Sequence, residues 1–240
     1  MMMQEKSTLK EIEERFNNDV ARFSNLETGQ VTTLDASFNM QLIAESIATI
    51  YPKGSSVLDI GCGAGNYDVK LLEYVKPLDI TLVDLSRPML DKAKERVEAV
   101  NSGGNTRIFQ GDFRRVDFPE QSFDVIIATA VLHHLRDNDD WRTAFAKLYS
   151  LLKPGGSIWI FDLIEQDTAA LQDLIYTKRY GQYLTSLKDE AYRDHVFAYI
   201  EKEDSPRSLM YQLDLLKKTG FQHVDVLHKN LCFASFVGFK

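Results

Sequence analysis

Residues 57–65 read Val57-Leu58-Asp59-Ile60-Gly61-Cys62-Gly63-Ala64-Gly65, an apolar run of strand type that ends in three alternating glycines. Without Cβ atoms the backbone can turn sharply out of a strand, and a ligand can approach the start of the next helix, whose first N–H groups lack partners. A dinucleotide-binding turn has the spacing Gly-x-Gly-x-x-Gly. Here the third glycine arrives one residue early and Asn66 holds the sixth place. The loop therefore suits an adenosyl ligand better than a pyrophosphate, and Asn66 argues against a nicotinamide-dependent oxidoreductase.

The chain downstream repeats the strand-to-cleft pattern. Asp84 closes the run Val83-Asp84-Leu85-Ser86, 25 residues after Asp59, where a carboxylate can accept two hydrogen bonds from a ribose diol. Ser86 is placed to cap the following helix and Pro88 to sit in its first turn, with Met89 offering a polarizable contact to an adenine. In Gln110-Gly111-Asp112-Phe113, Asp112 can accept from an exocyclic amine and Phe113 can pack on the ring. The apolar run Phe123 to Ala130 leads into Val131-Leu132-His133-His134, so backbone groups near Thr129 and Ala130 are candidates for the amino-acid end of such a ligand. Lys153-Pro154-Gly155-Gly156 then turns the chain into a strand from Ser157 to Leu163.

The β-rich runs VLDI, ITLVDL, RIFQGD, FDVIIATA and SIWIFDLI alternate with the helical runs NYDVKLLEYV, RPMLDKAKERVEAV and DWRTAFAKLYSLL. Runs apolar on both faces and separated by helices predict a parallel sheet covered on both sides. Before them, Leu9, Ile12, Phe16, Val20 and Phe23 mark one amphipathic helix over residues 5–24, and Phe38 to Ile50 mark a second that ends before Pro52. After Asp162 the rhythm breaks into a polar, Tyr- and Arg-rich stretch, 165–204, with Tyr176, Arg179, Tyr180, Tyr183, Tyr192, Arg193 and His195 as candidate acceptor-facing residues. A last helix is expected from about Pro206 to Thr219, stopped at Gly220, and HVDVLH and LCFASFVGF form an antiparallel hairpin turning at Lys229 and Asn230.

Composition narrows the function classes. The 240 residues are 44% hydrophobic and 26% charged, which is ordinary for a globular chain with a sizeable core. The formal charge of -7 supplies no positive field for a phosphate backbone. Cys62 and Cys232 are too few for a disulfide framework and lack zinc-site pairing, and the start MMMQEKSTLKEIEERF has no signal-like apolar stretch, so a reduced, cytoplasmic setting is expected. No window approaches a membrane span.

Across roughly residues 53 to 163 these ordered motifs and the LKPGG turn resemble class I S-adenosylmethionine-dependent methyltransferases. The resemblance implies a doubly wound, Rossmann-like α/β fold with a seven-stranded, mostly parallel sheet and an antiparallel last strand. N-terminal helices (1–52) would cover the cofactor cleft, 53–164 and 205–240 would form the core, and 165–204 would be a helical lid. S-adenosyl-L-methionine would be the methyl donor and S-adenosyl-L-homocysteine the product. Gly61 and Gly63 would approach the methionyl part, with Cys62 between them, and Asp59 would order the loop and the methionine amine. Asp84 with Leu85 and Met89 would hold the ribose and adenine side, and Gly111, Asp112 and Phe113 would read the adenine. The transfer would be an SN2 displacement, in which alignment and exclusion of water are the protein's main share.

The acceptor is expected to be a small organic molecule, ahead of tRNA or protein, with no membrane partner and with homodimerisation left open. His133 or His134 is a candidate general base and Tyr180 a candidate acceptor contact. Asp162, His133 and His134 share one cleft, but no metal-ligand spacing supports an ion there, so no metal is assigned. The stretch SLMYQLDLLKKTGFQHVDVLHKNLCFASFVGFK also resembles the end of the carboxy-S-adenosylmethionine synthase family of tRNA wobble-uridine modification. That family holds its extra carboxylate with an arginine upstream of the last helix, and YIEKEDSPRS offers only Arg207. Carboxylate transfer is thus the alternative activity, and a catalytically silent cofactor-binding protein the alternative of another class.

Overall fold

The computed structural model describes residues 6–25, 30–51 and 53–240. The chain start through Glu5, part of the polar link after the first helix, and Pro52, expected to end the second helix, lie outside the described residues.

Seven strands form one sheet: β1 (Ser56–Ile60), β2 (Asp79–Asp84), β3 (Asn105–Gln110), β4 (Phe123–Thr129), β5 (Leu152–Leu163), β6 (His223–Asn230) and β7 (Phe233–Phe239), in the order β3-β2-β1-β4-β5-β7-β6. The first five run parallel, and β7 is antiparallel to both β5 and β6. Strand residues alternate between two apolar layers. Val57, Val125, Ile127, Trp159 and Phe161 face one, and Leu58, Ile60, Ile126, Ile158 and Ile160 face the other. Continuous apolar runs are thus what a sheet buried on both sides requires. The order reverses between β1 and β4, and a crevice opens at the carboxyl ends of the strands there, so Asp59, Asp84 and Thr129 all end near one cleft.

Two strand boundaries differ from the sequence expectation. Lys153-Pro154-Gly155-Gly156 is taken into β5 as an irregular start, where the register with β4 shifts between Phe123 and Val125. The last hairpin turns at Leu231, which has φ 48°, so Lys229 and Asn230 remain paired with Ala234 and Phe233. The largely apolar, buried β7 takes the interior position and the polar β6 the edge.

The expected first helix is two, α1 (Leu9–Asn18) and α2 (Val20–Ser24), broken at Asp19. Asn17, Asn18 and Asp19 bear short polar side chains that compete for backbone groups, and Asn18 bonds back to the Glu14 carbonyl. Thr8 and Glu11 form a capping box at the start of α1. Then come α3 (Ala36–Ile50), α4 (Asn66–Leu71), α5 (Arg87–Val100) with Ser86 as N-cap and Pro88 in its first turn, and α6 (Asn138–Leu151) capped by Asp137. Residues after Asp162 are helical as expected: α7 (Ala169–Gln172), a π-helical stretch Asp173–Tyr180, α8 (Gly181–Leu187) and α9 (Glu190–Glu203). The last helix, α10 (Leu209–Thr219), starts later than Pro206 because Ser208 accepts from the Tyr211 N–H and so sets the first turn. Among the described residues no helix is long and apolar enough to cross a membrane.

Candidate cofactor site

The glycine loop is built for close packing on two sides and openness on the third. Gly61, Gly63 and Gly65 have φ of 67°, 51° and 73°, in the left-handed region that favours glycine. A Cβ on Gly61 would lie 2.5 Å from Val131 Cγ2, and one on Gly65 would lie 3.1 Å from Ala93 Cβ, but one on Gly63 would meet nothing within 4 Å. Gly61→Ala is therefore expected to destabilise the fold by about 1–3 kcal/mol from the backbone conformation alone, with a further cost from Val131. Gly63→Ala should carry the backbone cost alone, yet its methyl would intrude on the cleft. Denaturant unfolding of the two variants should place Gly61→Ala as the less stable; the reverse order would show that Val131 yields freely.

Asp84 ties this loop to the next element. Its Oδ2 accepts the Gly63 N–H at 2.8 Å and its Oδ1 accepts the Ser86 N–H at 2.8 Å. Burial raises the Asp84 pKa, while the N–H groups of Ser86, Gly63 and Leu85 pull it back. Beneath the loop, Asp59 meets Asp68 from the first turn of α4, and both carboxyls are buried. Burial, then the Asp68 charge, pushes Asp59 well above the usual carboxylate range, and burial lifts Asp68 to about 6. The two carboxyls hydrogen-bond to each other, and among the described residues Asp59 Oδ1, the Asp68 oxygens and the buried Tyr67 hydroxyl find no other partner.

On the β2–β3 side, Asp112 is gripped by Arg114, whose Nε and Nη2 reach its two oxygens at 2.9 and 2.7 Å, and Arg114 also pairs with Asp140 at 2.9 Å. A cavity of about 60 Å³ lies between these elements, lined by Gly61, Val83, Asp84, Leu85, Gly111 to Arg114, Val131, His134 and Leu135. Its roof is α1, through Leu9 and the fully buried Ile12. The roof is pinned by Ser86 Oγ donating to Asn17 Oδ1 at 2.7 Å, by Arg15 on Glu203 at 2.6 Å and by Ser7 on Glu203 at 2.6 Å. A wider open depression of about 470 Å³ lies at the opposite end of the sheet, where Asp79 and Asn105 start β2 and β3, and holds none of these groups.

The turn after β4 carries a second polar cluster. Asp162, at the end of β5, accepts from the N–H groups of Leu132, His133 and Leu163 at 2.8, 3.2 and 2.7 Å, and pairs with His133 Nδ1. Asp204, just past α9, lies 3.7 Å from His133 Nε2 and 3.3 Å from His134 Nδ1. Burial works against a charge on His133, but the Asp162 and Asp204 carboxylates outweigh it and lift its pKa to about 9. Burial and the neighbouring His133 push His134 down. The His133 contribution to stability is therefore complete below its ordinary pKa of 6.5 and lost as pH rises through about 9. The gap in unfolding free energy between the chain and His133→Asn should narrow as pH rises through about 9, and a gap that stays constant with pH would contradict the pairing.

Residues 57–156 match the family model described as a methyltransferase domain. The chain carries a class I S-adenosylmethionine-dependent methyltransferase domain. It is 36% identical over 126 residues to an uncharacterized methyltransferase of Geobacillus sp. (strain WCH70), which covers 52% of this chain and 55% of that relative. The chain thus spans just over half the length of that relative. It is 25% identical over 193 residues to a demethylmenaquinone methyltransferase of Listeria monocytogenes, covering 78% of this chain and 79% of the other. In fold it is similar to the Burkholderia thailandensis 1,6-didemethyltoxoflavin-N1-methyltransferase solved with 1,6-didemethyltoxoflavin and S-adenosylhomocysteine, with TM-score 0.64, 18% identity, and coverage of 98% of this chain and 91% of that one.

In this methyltransferase domain, Gly61, Asp84, Leu85, Gly111, Asp112 and Phe113 line the same cavity, while Asp59, Cys62 and Gly63 do not line it, Asp59 and Cys62 being buried and Gly63 tied to Asp84 through its N–H. Met89 is packed away as core, with its N–H on Ser86, and does not line the cavity. Ala130 is exposed at the end of β4 with φ 51°, next to the buried Thr129. Asn66 is held by Arg96 and reaches the Phe23 carbonyl, so its side chain joins α2 to the loop. Tyr180 is fully buried against Phe233 with its hydroxyl on the Thr32 carbonyl, which makes it a packing residue that ties the insertion to the segment before α3. Arg207 donates to Asn138 and to the carbonyls of Ser205, Pro206 and Arg136, and does not line the cavity. Sequence reasoning missed Asp68, Arg114, Ile12 and Asp204. Of these only Ile12 carried a local signal, its place on the apolar face of the first helix.

Proposed function

We propose that the chain binds S-adenosylmethionine in this cleft and transfers its methyl group to a small-molecule acceptor. The observation that carries this reading is the single cavity beside the glycine loop that Gly61, Asp84, Gly111, Asp112 and Phe113 line together. Beside it, the buried Asp59 and Asp68 hydrogen-bond to one another and keep oxygens with no further partner among the described residues, which a ligand ammonium would satisfy. The cofactor supplies an electrophilic methyl on a sulfonium, already an activated leaving group. Asp84 would hold the ribose diol, Asp112 and Phe113 the adenine, and Leu9 and Ile12 would exclude water above it. A space of about 60 Å³ fits about two waters, so α1 must move outward for an adenosyl group to enter. The helical insertion would close the acceptor side.

A small acceptor is supported by the acidic net charge of -7, which does not draw in nucleic acid, and by relatives whose names specify demethylmenaquinone and didemethyltoxoflavin. Calorimetry with S-adenosylmethionine, S-adenosylhomocysteine and NAD tests the donor: the first two should bind, and binding of NAD alone would overturn the reading. A small-molecule acceptor library followed by S-adenosylhomocysteine release tests the rest, and turnover on tRNA or protein alone would reassign the acceptor.

A further inference from the structure

The cluster formed by His133, His134 and Asp204 lies outside what methyl-donor binding requires. We infer that it is a divalent transition-metal site, with His133 Nε2, His134 Nδ1 and Asp204 Oδ1 as ligands and one position open to an exogenous oxygen or nitrogen donor.

Three observations carry it. First, the ligand atoms converge: all three lie within 4.8 Å of one another, with 3.3 Å from His134 Nδ1 to Asp204 Oδ1 and 3.7 Å from His133 Nε2 to the same oxygen. Metal bonds of about 2.0–2.1 Å in tetrahedral geometry put neighbouring ligand atoms about 3.3 Å apart. The cluster thus already has one ligand edge and needs only small side-chain rotations for the others. Second, His134 Nδ1 and Asp204 Oδ1 face each other as a buried pair at 3.3 Å with no other hydrogen-bond partner among the described residues, a gap that a proton on the imidazole or a cation can bridge. Third, His133 has a carboxylate partner on its other ring nitrogen, since Nδ1 pairs with Asp162. That is the arrangement that fixes the tautomer and raises the basicity of a metal-bound histidine.

Two imidazoles and one carboxylate suit Zn²⁺, Co²⁺ or Fe²⁺ rather than Ca²⁺ or Mg²⁺, which prefer all-oxygen shells. Three protein ligands leave a coordination position open, as in catalytic rather than structural zinc sites. His133 and His134 keep 13% and 17% of their side-chain surface exposed, so an ion would enter at the ring edges to reach the buried His134 Nδ1 and Asp204 Oδ1. His134 also lines the cofactor cavity, which puts the open position beside the methyl donor's site. Around the cluster, Lys6 on the Asp204 carbonyl and Arg136 on the Glu203 carbonyl oppose a dication, and Asp162 and the buried Glu203 offset them.

The test uses the full chain stripped with a chelator and titrated with Co²⁺ and then Zn²⁺. One equivalent of Co²⁺ is expected to produce visible d–d bands, which Zn²⁺ should displace. His134→Ala and Asp204→Asn should each weaken Co²⁺ binding by about 100-fold or more, with cooperative thermal unfolding checking that each variant is folded. Asp173→Asn, at an exposed ion pair away from the cluster, should leave it unchanged. No Co²⁺ uptake at millimolar metal, or equal uptake by the folded variants, would overturn the proposal. Calorimetry of the metal-free chain with S-adenosylmethionine reads the donor site separately, so failure of the metal site and failure of the methyltransferase reading are distinguishable.

Discussion

Asp162→Ala is expected to cost about 3–5 kcal/mol of folding stability, the range for breaking a buried ion pair by removing one partner. The Asp162 side chain is fully buried, and its two oxygens take four donors: the N–H groups of Leu132, His133 and Leu163, and His133 Nδ1. Alanine leaves three backbone donors unsatisfied and removes the main counter-charge of a buried imidazole. It also frees the turn from Ala130 to His134 that borders both the glycine loop and the polar cluster. Asp162→Asn keeps the shape but turns an NH₂ toward N–H donors, so it should recover little. Urea denaturation measures the effect, and a loss below about 1 kcal/mol would show that the turn finds other partners.

The second large effect is on ligand binding. Asp84→Ala should weaken S-adenosylmethionine by about 1.5–3 kcal/mol, the scale of hydrogen bonds to a charged group, which is roughly 10- to 150-fold in affinity. Structure makes the expectation stricter than sequence did. The same carboxylate that would hold the ribose also holds the Gly63 and Ser86 N–H groups at 2.8 Å, so the variant loses the ligand contact and relaxes the loop together. Asp84→Asn, which keeps one acceptor oxygen, should lie between wild type and alanine. Calorimetry on variants of matched thermal stability reads this, and unchanged affinity for Asp84→Ala would confine the acid to loop support.

Much of the architecture was readable because its causes are local. Apolar runs such as Val57–Ile60 and Phe123–Thr129 identify buried strands wherever they sit in space, and Ser86 with Pro88 marks a helix start from within four residues. Local rules compete at three places: Asn17 to Asp19 interrupt an otherwise continuous apolar face, Ser208 caps α10 where Pro206 also offers a start, and Leu231 turns the last hairpin without a glycine. The site divides the same way. Gly61, Asp84 and Asp112 follow from the motif, whereas the Arg114 fork that holds Asp112 by two bonds comes from the fold. Met89, proposed from its place on a helix, faces the core because the N-cap turns that side of α5 inward.

By itself the sequence determined the sheet's parallel core, the crevice at its switch point and the glycine turn that opens α4. Each depends on side-chain period, on glycine's φ range or on an acid at a strand end. Tertiary structure alone decided three things: that Asp68 stands beside Asp59, that Ile12 roofs the cavity, and that Asp204 meets His133 and His134. Asp204 is some seventy positions from those histidines, and only the folded insertion returns it to β4's end. Adjacent histidines have no metal spacing along the chain because the third ligand arrives through the fold. The loop at Val57 to Gly65 is set by local backbone needs, while the polar cluster after β4 is assembled by long-range packing.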